Sequence, residues 1–95
     1  MKKVEWNEEK NKSLIEIRGV SFEEVVEEMV QNRIIRIFQH QNQIRYPNQQ
    51  IMLVYLHNYI YSVPYVEDES KIFLKTIYPS RKWSKILLGD KNEQS

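Results

Sequence analysis

Two sets of side chains in this 95-residue chain have the types and spacing to do chemistry. Lys71 and Lys75 alternate along one face of a predicted strand, and Arg81, Lys82 and Lys85 follow directly. Tyr46, Tyr55, Tyr59, Tyr61, Tyr65 and Tyr78 fall in the same half of the chain. Arginine and lysine hold phosphate oxygens through charge-assisted hydrogen bonds, while aromatic rings stack on unpaired bases. Together they suit single-stranded RNA. Cleaving RNA requires a base for the ribose 2′-hydroxyl, a cation for the charge building on the phosphate, and an acid for the departing 5′-oxygen. Arg81 and Lys82 supply the cations here, assisted by Tyr65, Glu67 or His40 as a proton-transfer group. Metal-free nucleases manage with such groups because positioning supplies much of the rate. Ordinary structural roles also account for the same residues, since strands are rich in tyrosine and basic residues late in a helix suit its dipole.

Other chemistries have little support. Gly19 and Gly89 are the only glycines, so no phosphate-binding glycine loop exists. His40 and His57 have no neighbouring carboxylate or second histidine at metal-ligand spacing. His57 reads as a turn residue, and His40 as an exposed loop residue or a mobile proton carrier. The absence of cysteine removes disulfides and thiolate metal sites and permits a reducing compartment. No metal and no cofactor are expected. Met1-Lys2-Lys3 is followed by Glu5, Asn7, Glu8 and Glu9 rather than by an apolar segment. The longest apolar run, Ile51 to Leu56, is far short of the ~20 residues that span a bilayer. A cytoplasmic protein without membrane contact is the expectation.

The net charge of +1 conceals a division. Residues 1–32 carry five Lys/Arg against eight Glu, and residues 33–95 carry nine Lys/Arg against five Asp/Glu. The basic part coincides with the predicted strands and the C-terminal segment, where it would form a cationic groove for a polyanion or an acidic partner.

The elements that must position these groups follow from local signals. Asn7 is an N-cap for a helix from about Glu8 to Arg18, with Leu14, Ile15, Asn11 and Arg18 toward its buried side. Gly19 ends it, because glycine accepts the left-handed conformation. Ser21 and Glu24 form a capping box for a second helix, with Val20 and Val25 at the spacing of a hydrophobic staple. Phe22, Val25, Val26, Met29 and Val30 recur at helical spacing opposite Glu23, Glu24, Glu27 and Glu28, and Asn32 terminates the helix. Ile34 to Phe38 reads as a strand and Gln39 to Gln50 as an amide-rich loop. Ile51–Leu56 and Tyr59–Val66 form a hairpin through His57-Asn58, and Pro64 marks an edge or a bulge. Lys71 to Tyr78 makes the last strand, and Ser80 caps a short helix over Arg81 to Leu88 that Gly89 closes. The predicted fold is α+β, with two N-terminal helices on one face of an antiparallel sheet of about four strands and a short C-terminal helix. One domain spans 1–89, and 90–95 is a disordered tail.

Four segments carry a family resemblance: Trp6-Asn7-Glu8-Glu9-Lys10-Asn11, Gly19-Val20-Ser21-Phe22-Glu23-Glu24, Tyr65-Val66-Glu67 and Ser80-Arg81-Lys82. In these the chain resembles, over residues 4–88, the BrnT family of bacterial type II toxin–antitoxin toxins, which share the RelE-like fold. The resemblance implies a ribonuclease that slows translation, with Arg81 first among its site residues, then Tyr65 and Glu67. It also implies a cognate ribbon-helix-helix antitoxin, through which alone the pair meets promoter DNA. A non-catalytic member of the same fold, which binds an antitoxin or nucleic acid, is the second reading.

Overall fold

A computed structural model describes residues 2–89. Local capping chemistry sets the first third of the chain. Helix α1 (Glu8–Arg18) starts where Asn7 Oδ1 accepts the Lys10 N–H, and it ends at Gly19, whose φ of 69° is left-handed. Helix α2 (Phe22–Val30) starts on a complete capping box, in which Ser21 Oγ accepts the Glu24 N–H and the Glu24 carboxylate accepts the Ser21 N–H. Asn11 locks the two helices together. It is 2% exposed, accepts the Phe22 N–H at 2.8 Å and donates to Glu23 at 2.8 Å. A free amide in the first turn of α2 is thereby satisfied from the neighbouring helix.

Among the described residues the strands are β1 (Lys3–Glu5), β2 (Arg36–Gln39), β3 (Gln49–Leu56), β4 (Tyr59–Glu67), β5 (Lys71–Leu74) and β6 (Tyr78–Pro79), followed by helix α3 (Arg81–Leu88). They form one sheet in the order β1-β5-β4-β3-β2, with β6 on β4 beyond the end of β5. The β3–β4 hairpin turns at His57 and Asn58, whose φ values of 52° and 67° are those of the tight turn their position requires. Leu14, Val20, Phe22 and Val25 pack on Met52, Val54, Val63, Tyr65 and Leu74, which alternate along the strands and share one sheet face. Trp6 stacks on Phe22 at 5.7 Å and closes that layer.

Several expectations need correction. The α+β class holds, but the sheet is mixed and six-stranded rather than antiparallel with about four strands. The extended segment before α1 is itself a strand, parallel to β5, with Val4 beside Ile72. The last strand breaks after Leu74 and resumes at Tyr78. Pro64 explains the break. It lies inside the central strand β4, where its missing N–H falls between the pairings Tyr65–Leu74 and Ser62–Tyr78. Only its carbonyl is used on that side, by the Lys75 N–H at 2.8 Å. Ile15 and Val30, expected to be buried, are 50% and 56% exposed. Arg18 is exposed too, although its guanidinium donates to the Ile77 carbonyl at 3.0 Å. The 90–95 tail lies outside the described residues. No helix among the described residues is long and apolar enough to cross a membrane.

Candidate nucleic-acid interface

Helix α3 packs on the sheet face opposite α1 and α2, and how it is attached determines what it presents. Ser80 caps it by accepting the Trp83 N–H at 3.1 Å. Its backbone is bolted to β4: the Ser80 N–H donates to the Ile60 carbonyl at 2.9 Å, and the Ile60 N–H donates to Ser84 Oγ at 3.0 Å. Both Ile60 and Ser84 are buried. Two direct bonds to one strand residue hold the first turn of α3 against the sheet.

That turn carries Trp83 into an aromatic and cationic cluster. The Trp83 ring lies 6.1 Å from Phe38 of β2. The Arg36 guanidinium sits 5.0 Å from the Trp83 centroid, and Lys82 Nζ sits 5.6 Å from it. Beside the cluster opens a cleft of about 300 Å³. Phe38, Ile51 and Ser62 line it from the sheet, Tyr78 from β6, Ser80, Lys82 and Trp83 from the start of α3, and His40 and Gln41 from the segment after β2. Three aromatic rings, an ammonium, an imidazole and two serine hydroxyls therefore converge on one opening, and none of the described residues that line it is acidic.

His40 is held in a defined state. Its N–H donates to the Gln49 carbonyl at 2.9 Å, and its ring packs 4.4 Å from Tyr46. Nδ1 accepts the Asn42 N–H at 3.0 Å. The neutral ring must then carry its proton on Nε2, so His40 is a hydrogen-bond donor in this pose. Rings that grip a planar group, beside donors and an ammonium that hold an anion, are what one unpaired nucleotide requires.

The sequence-derived site residues divide between two places. Lys82 lines the cleft, and Arg81 precedes it as the exposed first residue of α3. Lys85 is one turn further along the same helix. Lys75 is exposed on the β5–β6 interruption. Lys71 is drawn toward the β1 edge, with Nζ 3.5 Å from Glu5. Tyr65 and Glu67 are elsewhere. Tyr65 belongs to the core on the α1–α2 face, and alternation along β4 turns it away from Ser62, which lines the cleft. Its hydroxyl donates to Gln50 at 2.7 Å, and burial, aided by the Glu67 charge, pushes its pKa up to about 12. Glu67 is paired with Lys2 at 2.7 Å. Of the three proton-transfer candidates, only His40 lines the same cleft as Lys82.

Comparisons of the chain with protein-family models, with curated proteins and with solved structures return no match. The site therefore stands on its own geometry. Sequence reasoning passed over Trp83, Phe38 and Arg36. The signal available was a tryptophan inside a basic, serine-capped helix, but its partners on β2 are 47 and 45 residues away in the chain.

Proposed function

We propose that this protein is an RNA-cleaving toxin of the BrnT type, with the RelE-like fold, and that the cleft beneath α3 is where it grips RNA. The observation that carries this reading is the convergence of Lys82, His40 and the Phe38, Tyr78 and Trp83 rings on one opening. A base stacks among the rings while Lys82, and Arg81 beside it, neutralise the adjoining phosphate. The Nε2–H of His40 hydrogen-bonds a phosphate oxygen, while one water takes the 2′-hydroxyl proton and another gives a proton to the departing 5′-oxygen. No metal or cofactor enters this scheme. A cognate ribbon-helix-helix antitoxin would neutralise the toxin by covering the cleft, and promoter DNA would be met only through that complex. Such chemistry belongs in the cytoplasm.

The test is expression of the intact chain. Growth arrest with RNA loss is expected, relieved by Lys82→Ala and by Arg81→Ala. Normal growth and intact RNA in cells that hold the folded protein would refute the enzyme reading. That none of the described residues lining the cleft is acidic favours a second reading, in which a member of the same fold binds RNA or an antitoxin without cleaving. That reading predicts retention of labelled single-stranded RNA with no shortening over hours.

A further inference from the structure

The sheet has two edges, and they are finished differently. Strand β1 is three residues long and carries Lys3 and Glu5 at its ends. Glu5 lies 3.6 Å from Lys3 and 3.5 Å from Lys71. Short, charged edge strands are a device by which native sheets deter further pairing. Strand β2 forms the opposite edge. Its one charged residue, Arg36, does not guard it, because the guanidinium lies 5.0 Å from the Trp83 centroid, on the α3 side of the sheet. Nor does β2 contain a proline.

The register identifies what this edge offers. The His40 N–H donates to the Gln49 carbonyl at 2.9 Å, in the same pairing frame as Phe38 with Ile51 and Arg36 with Leu53. Alternate residues of an antiparallel strand bond to the same neighbour, so Phe38 and Arg36 direct their main-chain groups toward β3. Ile37 and Gln39 direct theirs outward, where no strand among the described residues meets them. The side chain at the centre of the edge is apolar. Ile37 sits opposite Met52, a core residue on the α1–α2 face, yet Ile37 is 52% exposed. Val30, at the end of α2 on that same side of the sheet, is exposed too.

We infer that β2 pairs antiparallel with β2 of a second copy of this chain, about a two-fold axis through Ile37. The strand is its own complement. Centred there, Ile37 faces Ile37 and Arg36 faces Phe38, and no like charges are opposed. The two Ile37 residues exchange both of their free main-chain bonds. Any added strand satisfies those groups, but this one also matches the side chains position by position, and every molecule in solution carries it. The axis is perpendicular to the sheet, so the interface is isologous and closed, and both copies turn α3 to the same side. Phe38 of the second copy is thereby set beside Arg36 of the first, and each Trp83 cluster gains a ring from its neighbour. Four residues a side make a small contact, so the association is weak and concentration-dependent. The inference does not depend on RNA binding, and Lys82→Ala leaves it unchanged.

The experiment is sedimentation equilibrium of the full chain from about 5 μM to about 1 mM. A mass that rises from 11.6 kDa toward twice that value is expected. Ile37→Lys sets two ammonium groups face to face and should weaken association by about tenfold or more, with an unchanged circular-dichroism melt at low concentration because the position is exposed. A second measurement does not rely on that variant. The chain has no cysteine, so an introduced thiol reports alone. Opposed Cα atoms in a bonded antiparallel pair lie about 5.5 Å apart, within disulfide reach. Ile37→Cys should therefore cross-link on mild oxidation, whereas Gln39→Cys, exposed on the same face but opposite Ile35 of the second copy, should not. A single-chain mass at every concentration, an Ile37→Lys variant that associates like the wild type, or a Gln39→Cys variant that cross-links as fast as Ile37→Cys would overturn the inference.

Discussion

Replacing Ser84 by alanine tests whether one hydroxyl sets the position of the whole α3 face. The Ile60 N–H has Ser84 Oγ as its acceptor at 3.0 Å, and Ile60 is 1% exposed. Alanine removes the acceptor while leaving the donor inside the protein, where an unsatisfied amide costs about 1–3 kcal/mol. The second contact, from Oγ to the Ile60 carbonyl, is 3.5 Å long and adds little, because Ser80 already serves that oxygen. For a domain of this size each kcal/mol lowers Tm by roughly 4–8 °C. Urea unfolding should therefore show a lower midpoint with an unchanged slope, since the exposed surface is the same in both proteins. Amide exchange at Ile60 should accelerate in the same variant. RNA affinity should fall as well, because Lys82 and Trp83 ride on the anchored turn. A midpoint change worth under about 0.5 kcal/mol, the scale of neutral surface changes, with Ile60 still protected, would refute the reasoning.

Asn11→Ala should destabilise the protein by about 1–3 kcal/mol in urea unfolding, because it strands the Phe22 N–H between α1 and α2. Tyr65 favours its neutral form in the fold, with a pKa near 12, against about 10 when unfolded. Its contribution is thus complete below pH 10 and disappears as pH climbs toward 12, an added loss of about 2–3 kcal/mol that Tyr65→Phe should remove from the pH profile. Trp83→Ala should weaken single-stranded RNA binding by about 1–3 kcal/mol, measured by fluorescence anisotropy. Lys82→Ala should flatten the plot of log affinity against log salt by about 0.7, the contribution of one phosphate contact on a single strand.

What the sequence made legible was local. Asn7, Gly19, the Ser21–Glu24 box and Ser80 act on amides within a few residues of themselves, so their types and spacing suffice. The His57-Asn58 turn is of the same kind. What stayed hidden was the pairing of distant segments. Nothing in Lys3-Val4-Glu5 announces a strand parallel to Lys71–Leu74, because a three-residue segment has too little pattern to reveal its partner. The candidate site divided along the same line. Arg81 and Lys82 stood out as a basic run, whereas the cleft needs Phe38 and His40 from β2 and its following loop, brought there by register with β3. Tyr65 and Glu67 entered beside that run as candidate proton-transfer groups and through the family resemblance. Strand alternation puts them on the opposite face of the sheet from the cleft.

The parallel pairing of β1 with β5 also bears on synthesis. Residues 3–5 leave the ribosome early, yet the strand they bind is not made until residues 71–74 follow. While the chain is nascent, both Val4 and the still incomplete sheet edge lack their native neighbour, and closing so long a loop is entropically costly. The outermost strand is therefore among the last to settle, and a bulky fusion placed just ahead of Lys3 would slow maturation more than an equal fusion beside the His57-Asn58 turn.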